Sequence, residues 1–146
     1  MLVNQVEAQP QRRKLVERKR PVILLVEDDR DMLSLLCDEL WDLGYPLKEA
    51  ANGDDALRYV LDSPPALIIT DLRMPAGGFD YVARLRNFAP TCPIILMTSF
   101  GDAKTKAEAL QKGVAVYFDK PVRIADLKAA VKRLLNHHPD GEKDMT

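Results

Sequence analysis

The sequence predicts an α/β fold built on a parallel sheet. Short apolar runs alternate with helical patterns of about 10–15 residues, which is typical of repeated βα units. Four of the apolar runs end directly at polar side chains, among them carboxylates, hydroxyls and a lysine. In an open parallel sheet, ligands bind outside the carboxyl ends of the strands. The same pattern therefore predicts the fold class and the edge of the sheet that carries the function.

The predicted elements alternate from Val22 onward. The predicted strands cover residues 22–26, 46–50, 66–70, 93–97 and 114–118, and the predicted helices cover about 30–43, 52–63, 78–89, 102–113 and 124–135. Asn52 and Asp102 are expected N-caps, and Gly44 is expected to end the first helix. The first helix is expected to turn Met32, Leu35, Leu36, Leu40 and Leu43 inward, and the second Ala56, Leu57, Val60 and Leu61. The fourth helix carries only Ala103, Ala107, Ala109 and Leu110, so we expect it to pack weakly.

Length and composition indicate one ordinary globular domain. The chain has 146 residues, of which 47% are hydrophobic and 29% charged. No apolar run approaches the roughly 20 residues that span a bilayer, and the first ten residues do not resemble a signal peptide. Cys37 and Cys92 have no metal-ligand spacing, so we expect packing roles, a reducing compartment and a cytoplasmic location.

Charge divides the chain into three parts. Residues 1–20 carry six basic and two acidic groups, a net charge of +4, whereas the remainder carries −5. We expect a basic arm at 1–20, a domain at 21–136 and a polar tail at 137–146. The acidic domain argues against a nucleic-acid-binding surface, so any DNA association of the arm should be weak and salt-sensitive.

Three carboxylates are predicted to meet at the strand ends. Glu27 and Asp28 follow the first strand and Asp71 follows the third. Like charges raise each other's pKa, so such a cluster is costly without a cation. An all-oxygen site with few carboxylates suits Mg²⁺, which keeps several waters and takes further oxygens from a phosphate.

The other polar strand ends indicate phosphoryl chemistry. Lys120 supplies an ammonium and Thr98 a hydroxyl donor, and a phosphoryl group requires such partners together with a metal. A carboxylate placed among them can act as a nucleophile and form an aspartyl phosphate. The predicted site contains no histidine, cysteine or Ser–His pair, which disfavours acyl transfer.

These motifs together resemble the response regulator receiver domain, the phosphoacceptor of two-component signalling. They are ILLVEDD at residues 23–29, IITDLRMP at 68–75, ILMTS at 95–99 and YFDKP at 117–121, in the family's order and at about its spacing. The resemblance covers about residues 21–136. It implies a flavodoxin-like, doubly wound (βα)₅ fold with a five-stranded sheet in the order 2-1-3-4-5.

The resemblance also implies a role for each site residue. Asp71 matches the phosphorylated aspartate, Asp28 a direct metal ligand, and Glu27 an acid that holds the metal through water. The backbone carbonyl of Arg73 matches a further metal ligand. Lys120 matches the phosphate-pairing lysine, with a cis bond to Pro121, and Thr98 and Tyr117 match the switch pair. Asp29 is better explained as a helix cap.

The implied function is phosphorelay signalling. A sensor histidine kinase or a histidine phosphotransfer protein would phosphorylate Asp71 with Mg²⁺, and the domain would hydrolyse the phosphoryl group slowly. It would not be an enzyme in the ordinary sense. A downstream protein would read the face built from the fourth helix, fifth strand and fifth helix, and a phosphorylation-dependent homodimer is a further expectation. No membrane partner and no specific DNA site are expected.

Three departures from the family pattern concern the site's surroundings, one of which is Val122 in place of the phenylalanine that the family favours after Lys120 and Pro121. The segment between Pro75 and Gly78 is one residue shorter than usual and lacks the common acidic residue, so we expect an altered loop beside Asp71. Ser99 stands where the family usually has alanine or glycine.

Three other classes of protein remain as alternatives. An aspartate-nucleophile phosphohydrolase usually has a second aspartate two residues after the nucleophile, where this chain has Arg73. A pseudo-receiver that acts only as a binding module would normally lose Asp71, Asp28 or Lys120, and all three are present. A DNA-binding regulator would need an output domain, and no helix-turn-helix pattern follows Leu135.

Overall fold

A computed structural model describes residues 21–99 and 101–136. The predicted arm at 1–20 and the predicted tail at 137–146 lie outside the described residues. Within the described part of the chain, no helix is long and apolar enough to cross a membrane.

The described residues form one five-stranded parallel sheet. Its strands are β1 (Ile23–Val26), β2 (Leu47–Ala50), β3 (Leu67–Asp71), β4 (Ile94–Thr98) and β5 (Val116–Asp119). Their order is β2-β1-β3-β4-β5, and every neighbouring pair is parallel. The predicted fold class and strand order are confirmed.

Five helices cover the two faces of this sheet. They are α1 (Arg30–Leu40), α2 (Gly53–Asp62), α3 (Phe79–Phe88), α4 (Ala103–Gln111) and α5 (Ile124–Asn136). Helices α1 and α5 pack on one face, and α2, α3 and α4 pack on the other. All residues of β1, β3 and β4 are buried. Covering both faces in this way explains why these strands are continuous apolar runs instead of alternating ones.

Successive side chains of β1 show how one strand serves both cores. Leu24 and Val26 join the core under α2, α3 and α4, whereas Ile23 and Leu25 join the core under α1 and α5. Side chains alternate between the two faces of a strand, so β1 contributes to both cores. The polar residues that follow the strand then emerge at one edge of the sheet.

The predicted helix caps are present. Asp29 accepts hydrogen bonds from the backbone N–H groups of Asp31 and Met32, at 3.0 and 3.2 Å. Asn52 and Asp102 each accept a backbone N–H bond of 2.8 Å at the starts of α2 and α4. These three side chains satisfy N–H groups that a helix start leaves unpaired.

Some predicted inward-facing residues are exposed. Leu35 is 46% exposed and Leu61 62%, while Leu33, which we did not assign inward, is buried. Leu33, Leu36 and Leu40 fit the same three/four spacing as the predicted set. The apolar spacing of α1 alone therefore did not identify which of two adjacent helix faces is buried. In α4, only Ala109 is buried, which makes its packing even thinner than predicted.

The end of α1 also differs from the prediction. The α-helix ends at Leu40, and residues Trp41–Leu43 form a 3₁₀ turn. Gly44 has φ +83° and donates its N–H to the carbonyl of Trp41 at 3.2 Å. Glycine adopts this left-handed conformation at little cost, so it ends the helix as expected.

The loop after β3 is fixed by a close contact with α2. Ala76 adopts a positive φ of 57°, and the carbonyl of Pro75 accepts a 3.0 Å bond from the N–H of Gly53. A Cβ atom on Gly53 would lie 1.8 Å from the Ala76 oxygen. The start of α2 therefore requires glycine because the loop beside Asp71 passes directly over it.

This contact predicts that Gly53→Ala destabilises the fold. Alanine normally stabilises a helix relative to glycine, but here the overlap forces a backbone shift, with a cost near the upper end of about 1–3 kcal/mol. Gly44→Ala is the control, since its Cβ meets no atom within 4 Å and only the left-handed conformation costs about 1 kcal/mol. Urea unfolding of both variants measures the difference. A Gly53→Ala protein at least as stable as Gly44→Ala would contradict this account.

Candidate functional site

The polar strand ends meet at one edge of the sheet. Glu27 directly follows β1, Asp71 ends β3, Thr98 ends β4, and Lys120 follows β5. The parallel register aligns these ends, with Asp71 beside Met97 and Thr98 beside Asp119. Residues far apart in the chain therefore share a single site, as the sequence pattern predicted.

Three carboxylates form the acidic part of this site. Glu27, Asp28 and Asp71 each offer an oxygen, and these oxygens lie within 4.8 Å of one another. Glu27 is 1% exposed and Asp71 5% exposed, whereas Asp28 is exposed to solvent. Hard divalent cations bind such all-oxygen sites and keep waters on their open side. The arrangement fits a metal such as Mg²⁺, held by two buried acids and one exposed acid.

Lys120 is the positive charge of the site. Its Nζ lies 2.5 Å from Glu27 Oε1 and 2.8 Å from Asp71 Oδ2. Burial lowers the pKa of Lys120, but the hydrogen bonds to Asp71 and Glu27 outweigh it and raise that pKa above its ordinary value. The lysine is therefore a fixed ammonium. Burial also raises the pKa of Glu27, against the opposing effect of Lys120.

The two oxygens of Asp71 have different surroundings. Oδ1 accepts the backbone N–H bonds of Leu72 and Arg73, at 2.7 and 3.2 Å. Oδ2 faces Lys120 instead. The loop after β3 thus holds the carboxylate by one oxygen and sets its direction, while the other oxygen points into the shared site.

Asp29 is separate from this arrangement. Its side chain caps α1, and its own N–H donates to Glu27 Oε2 at 3.2 Å. The backbone of Asp29 therefore orients Glu27, while its carboxylate is directed to the helix start. This supports the assignment of Asp28, and not Asp29, to the acidic cluster.

Thr98 carries a buried hydroxyl with an unmet hydrogen bond. The residue is fully buried, and its Oγ1 has no hydrogen-bond partner among the described residues. Leaving a buried hydroxyl unpaired costs about 1–3 kcal/mol, so such a group requires an explanation. A ligand oxygen arriving beside Asp71 would supply a partner.

Tyr117 lies on β5, the edge strand next to β4. Its hydroxyl donates to Asp119 Oδ1 at 3.0 Å, and the ring is half-buried. The same hydroxyl lies against Gly101, where a Cβ atom would overlap it. Burial, and then the hydrogen bond to Asp119, raise the pKa of Tyr117 to about 12. The tyrosine is therefore neutral and packs over the loop that leads from Thr98 to α4.

One buried polar pair behind Asp71 was not predicted. Thr70 donates its hydroxyl to the carbonyl of Asp71 at 2.8 Å, and the Tyr81 hydroxyl lies 2.9 Å from the same Thr70 oxygen. This pair links α3 to the backbone of β3 at the site. A polar residue inside the apolar run before Asp71 was the available signal, but its partner on α3 could not be read from helical spacing.

The bond between Lys120 and Pro121 is cis, as the resemblance implied. The remaining sequence-assigned residue, Arg73, contributes its N–H to Asp71 and carries an exposed side chain.

Comparisons with known proteins agree with this geometry. Residues 23–132 match the family model for the response regulator receiver domain. The chain is 33% identical over 115 residues to the DNA-binding transcriptional regulator NtrC of Azospirillum brasilense, which covers 78% of this chain but only 24% of that protein. It is 30% identical over 114 residues to the sporulation initiation phosphotransferase F of Bacillus subtilis. That match covers 77% of this chain and 92% of that protein.

Solved structures show the same fold. A CheY-like receiver domain from Methanospirillum hungatei superposes with a TM-score of 0.77 at 24% identity, over 86% of this chain and 99% of the other. The family match spans all five strands, including the four whose ends form the site. On this evidence, the chain belongs to the response regulator receiver family.

Proposed function

We propose that Asp71 accepts a phosphoryl group and that the chain acts as the receiver of a phosphorelay. The observation that carries this proposal is the position of Asp71 Oδ2, 2.8 Å from the Lys120 ammonium and inside a cluster of three carboxylates. A carboxylate so placed has a counter-charge ready for the incoming phosphoryl oxygens. Membership of the receiver family supports the same role.

The proposed reaction moves one phosphoryl group between two side chains. An oxygen of Asp71 forms a bond to phosphorus, and the P–N bond to a donor histidine breaks with its electron pair on nitrogen. The Leu72 and Arg73 N–H groups hold the carboxylate in line, and Lys120 faces the charge that develops on the phosphoryl oxygens. Slow hydrolysis by water would later return the free carboxylate.

Glu27, Asp28 and Asp71, with the backbone carbonyl of Arg73, are the groups that we propose hold Mg²⁺. The donor set is all oxygen, and the three carboxylates already lie within 4.8 Å of one another. When bound, the metal would neutralise part of the phosphoryl charge and of the acidic cluster. Glu27 is proposed to act through a water, because Lys120 already occupies its Oε1.

Thr98 and Tyr117 are the proposed switch. The unpartnered Thr98 hydroxyl gains a phosphoryl oxygen as its acceptor when Asp71 is phosphorylated. Its movement would alter the loop against which the Tyr117 hydroxyl packs. Helix α4 buries only Ala109, so a displacement of that helix should cost little. The face formed by α4, β5 and α5 would then present a different surface to a partner or to a second copy.

A protein phosphodonor is proposed over a small molecule. Next to Lys120, a small apolar pocket of about 130 Å³ is lined by α1, Pro121 and Val122. Leu35 on its rim is 46% exposed, and exposed apolar surface of this kind favours contact with a protein. A sensor histidine kinase or a histidine phosphotransfer protein could dock there and present its phosphohistidine to Asp71.

The two curated relatives bear on the role that this chain would have in a phosphorelay. The sporulation initiation phosphotransferase F of Bacillus subtilis matches over 92% of its own length, which supports a role in phosphoryl transfer. The chain spans only about a quarter of the NtrC relative, so DNA binding is not transferred to it. The geometry favours neither of the other two alternatives, a phosphohydrolase or a pseudo-receiver. Arg73 stands where an aspartate-nucleophile phosphohydrolase usually has an acid. Asp28, Asp71 and Lys120, which a pseudo-receiver would normally lose, are all present at the site.

The first test concerns the nucleophile. Incubation with acetyl phosphate and Mg²⁺ should add one phosphoryl group to the intact chain, and Asp71→Asn should remove it, because an amide cannot form the acyl phosphate. Intact-protein mass spectrometry measures the mass increase. Asp80→Asn, an exposed acid in the first turn of α3, is the matched control and should remain labelled. Labelling of the Asp71→Asn protein to the wild-type level would refute the assignment.

The second test separates the two neighbouring aspartates. Asp28→Asn should weaken Mg²⁺ binding roughly tenfold or more, since it removes a ligand of the cluster. Asp29→Asn should change it little, because that carboxylate caps α1; it should also cost little stability, since asparagine caps a helix about as well as aspartate. Titration calorimetry measures the affinity and thermal unfolding the stability. Equal losses of affinity in both variants would contradict the assignment of the acid pair.

The third test concerns the switch. Thr98→Ala should change stability little, since relief of the unpaired buried hydroxyl offsets the loss of the buried methyl group, but it should suppress the response of α4 and Tyr117 to beryllofluoride. Thr98→Ser keeps the hydroxyl and should preserve that response. NMR spectra with and without beryllofluoride compare the three proteins. The switch is disproved if α4 and Tyr117 signals move equally in Thr98→Ala and wild type, or move in neither.

A further inference from the structure

An apolar pocket lies at the edge of the sheet opposite Asp71. It has a volume of about 400 Å³ and is lined by Trp41, Gly44, Tyr45 and Pro46, in the turn between α1 and β2. Trp41 is 77% exposed. An indole presents a large apolar surface, and aromatic side chains that line a pocket are typical anchors of contacts between protein segments.

The walls of this pocket are held in place by the backbone. The 3₁₀ turn that begins at Trp41 is closed by the N–H of Gly44, and the carbonyl of Pro46 accepts the N–H of Ile23 at 2.9 Å. One wall is thus tied to the first residue of β1. These bonds fix the backbone of the turn, and the exposed Trp41 side chain completes the wall.

The position of β1 brings the preceding chain close to this pocket. Ile23 is bonded to Pro46, a lining residue, and the described part of the chain begins two residues earlier at Pro21. Leu15 and Val16 precede Pro21 by six and five residues, and six residues can span about 20 Å. They are the apolar pair in the stretch 11–20, and the pocket is within their reach.

Charge also favours contact between residues 11–20 and the region of this pocket. Residues 38–48, at the end of α1 and in the turn that forms the pocket, contain three acids, Asp38, Glu39 and Asp42, and one base, Lys48. The last turn of α1 has no basic residue, and the helix end adds partial negative charge. Of these acids, Asp42 is paired with Lys128 of α5 at 3.0 Å. Residues 11–20 carry six basic groups and one acid, on both sides of Leu15 and Val16.

We propose that residues 11–20 of this chain dock on its own domain, with Leu15 and Val16 in the Trp41 pocket and the flanking basic residues beside the acidic end of α1. The docked segment would shield apolar surface that is otherwise left in water. The pocket and Asp71 lie at opposite ends of the parallel strands, so the phosphoryl site stays open. The inference does not rest on the proposed function.

Fluorescence tests the proposal, because Trp41 is the one tryptophan in the sequence. Acrylamide quenching should be measured on the full chain at two protein concentrations. Leu15→Ser with Val16→Ser should raise the quenching constant of Trp41 by about twofold or more and shift the emission to the red, since removal of apolar contact exposes the indole. Leu2→Ser with Val3→Ser makes the same change elsewhere in residues 1–20 and should behave as wild type.

Three outcomes would overturn the proposal. In the first, Trp41 of the wild-type chain is quenched as strongly as in the Leu15 and Val16 variant. In the second, the control pair exposes Trp41 to the same extent, which removes the specificity. In the third, protection of Trp41 rises with protein concentration, which assigns the pocket to a second copy. A far-UV circular dichroism spectrum and a urea-unfolding midpoint that are unchanged in every variant verify that the domain remains folded.

Discussion

The ion pairs of Lys120 are the interaction on which the site depends. Its ammonium lies between Glu27, which follows β1, and Asp71, which ends β3. Both acids are buried, and two buried like charges would be strongly unfavourable without it. Because β4 lies between β3 and β5, the lysine reaches past the end of β4, where the Thr98 hydroxyl is buried. The order of the sheet therefore places the counter-charge, the acids and the hydroxyl around a single point.

The backbone around this point is fixed by contacts that take no part in the chemistry. The loop after β3 is held from the side of α2 by Gly53 and from the core by Thr70 and Tyr81. Its N–H groups then hold one oxygen of Asp71. On the other side, α4 contributes little to the core. A rigid acceptor beside a loosely packed helix is the combination that a phosphorylation switch requires, because a local change of charge must displace something that moves at low cost.

Much of this could be predicted from the sequence, for physical reasons. Apolar runs that stop at polar groups located the strand ends, and the helix caps at Asp29, Asn52 and Asp102 follow from local hydrogen bonding. The exposure of Leu35 could not be predicted, because adjacent helical stripes satisfy the same spacing. The Thr70–Tyr81 pair and the tie between Gly53 and the loop depend on tertiary approach, which no local pattern encodes. The double pairing of Lys120 was missed in part: the sequence placed the lysine in the site but did not identify Glu27 as its partner.

The most direct test of the account is a crystal structure of the chain with Mg²⁺ and beryllofluoride. The account predicts one beryllofluoride group on Asp71, with Lys120 Nζ and Thr98 Oγ1 each within about 3 Å of a fluorine and the metal held by Asp28 and Asp71. An adduct on another carboxylate would contradict it. So would an adduct on Asp71 that leaves Lys120 bound only to Glu27, because the ammonium would then be a structural counter-charge and no part of phosphoryl recognition.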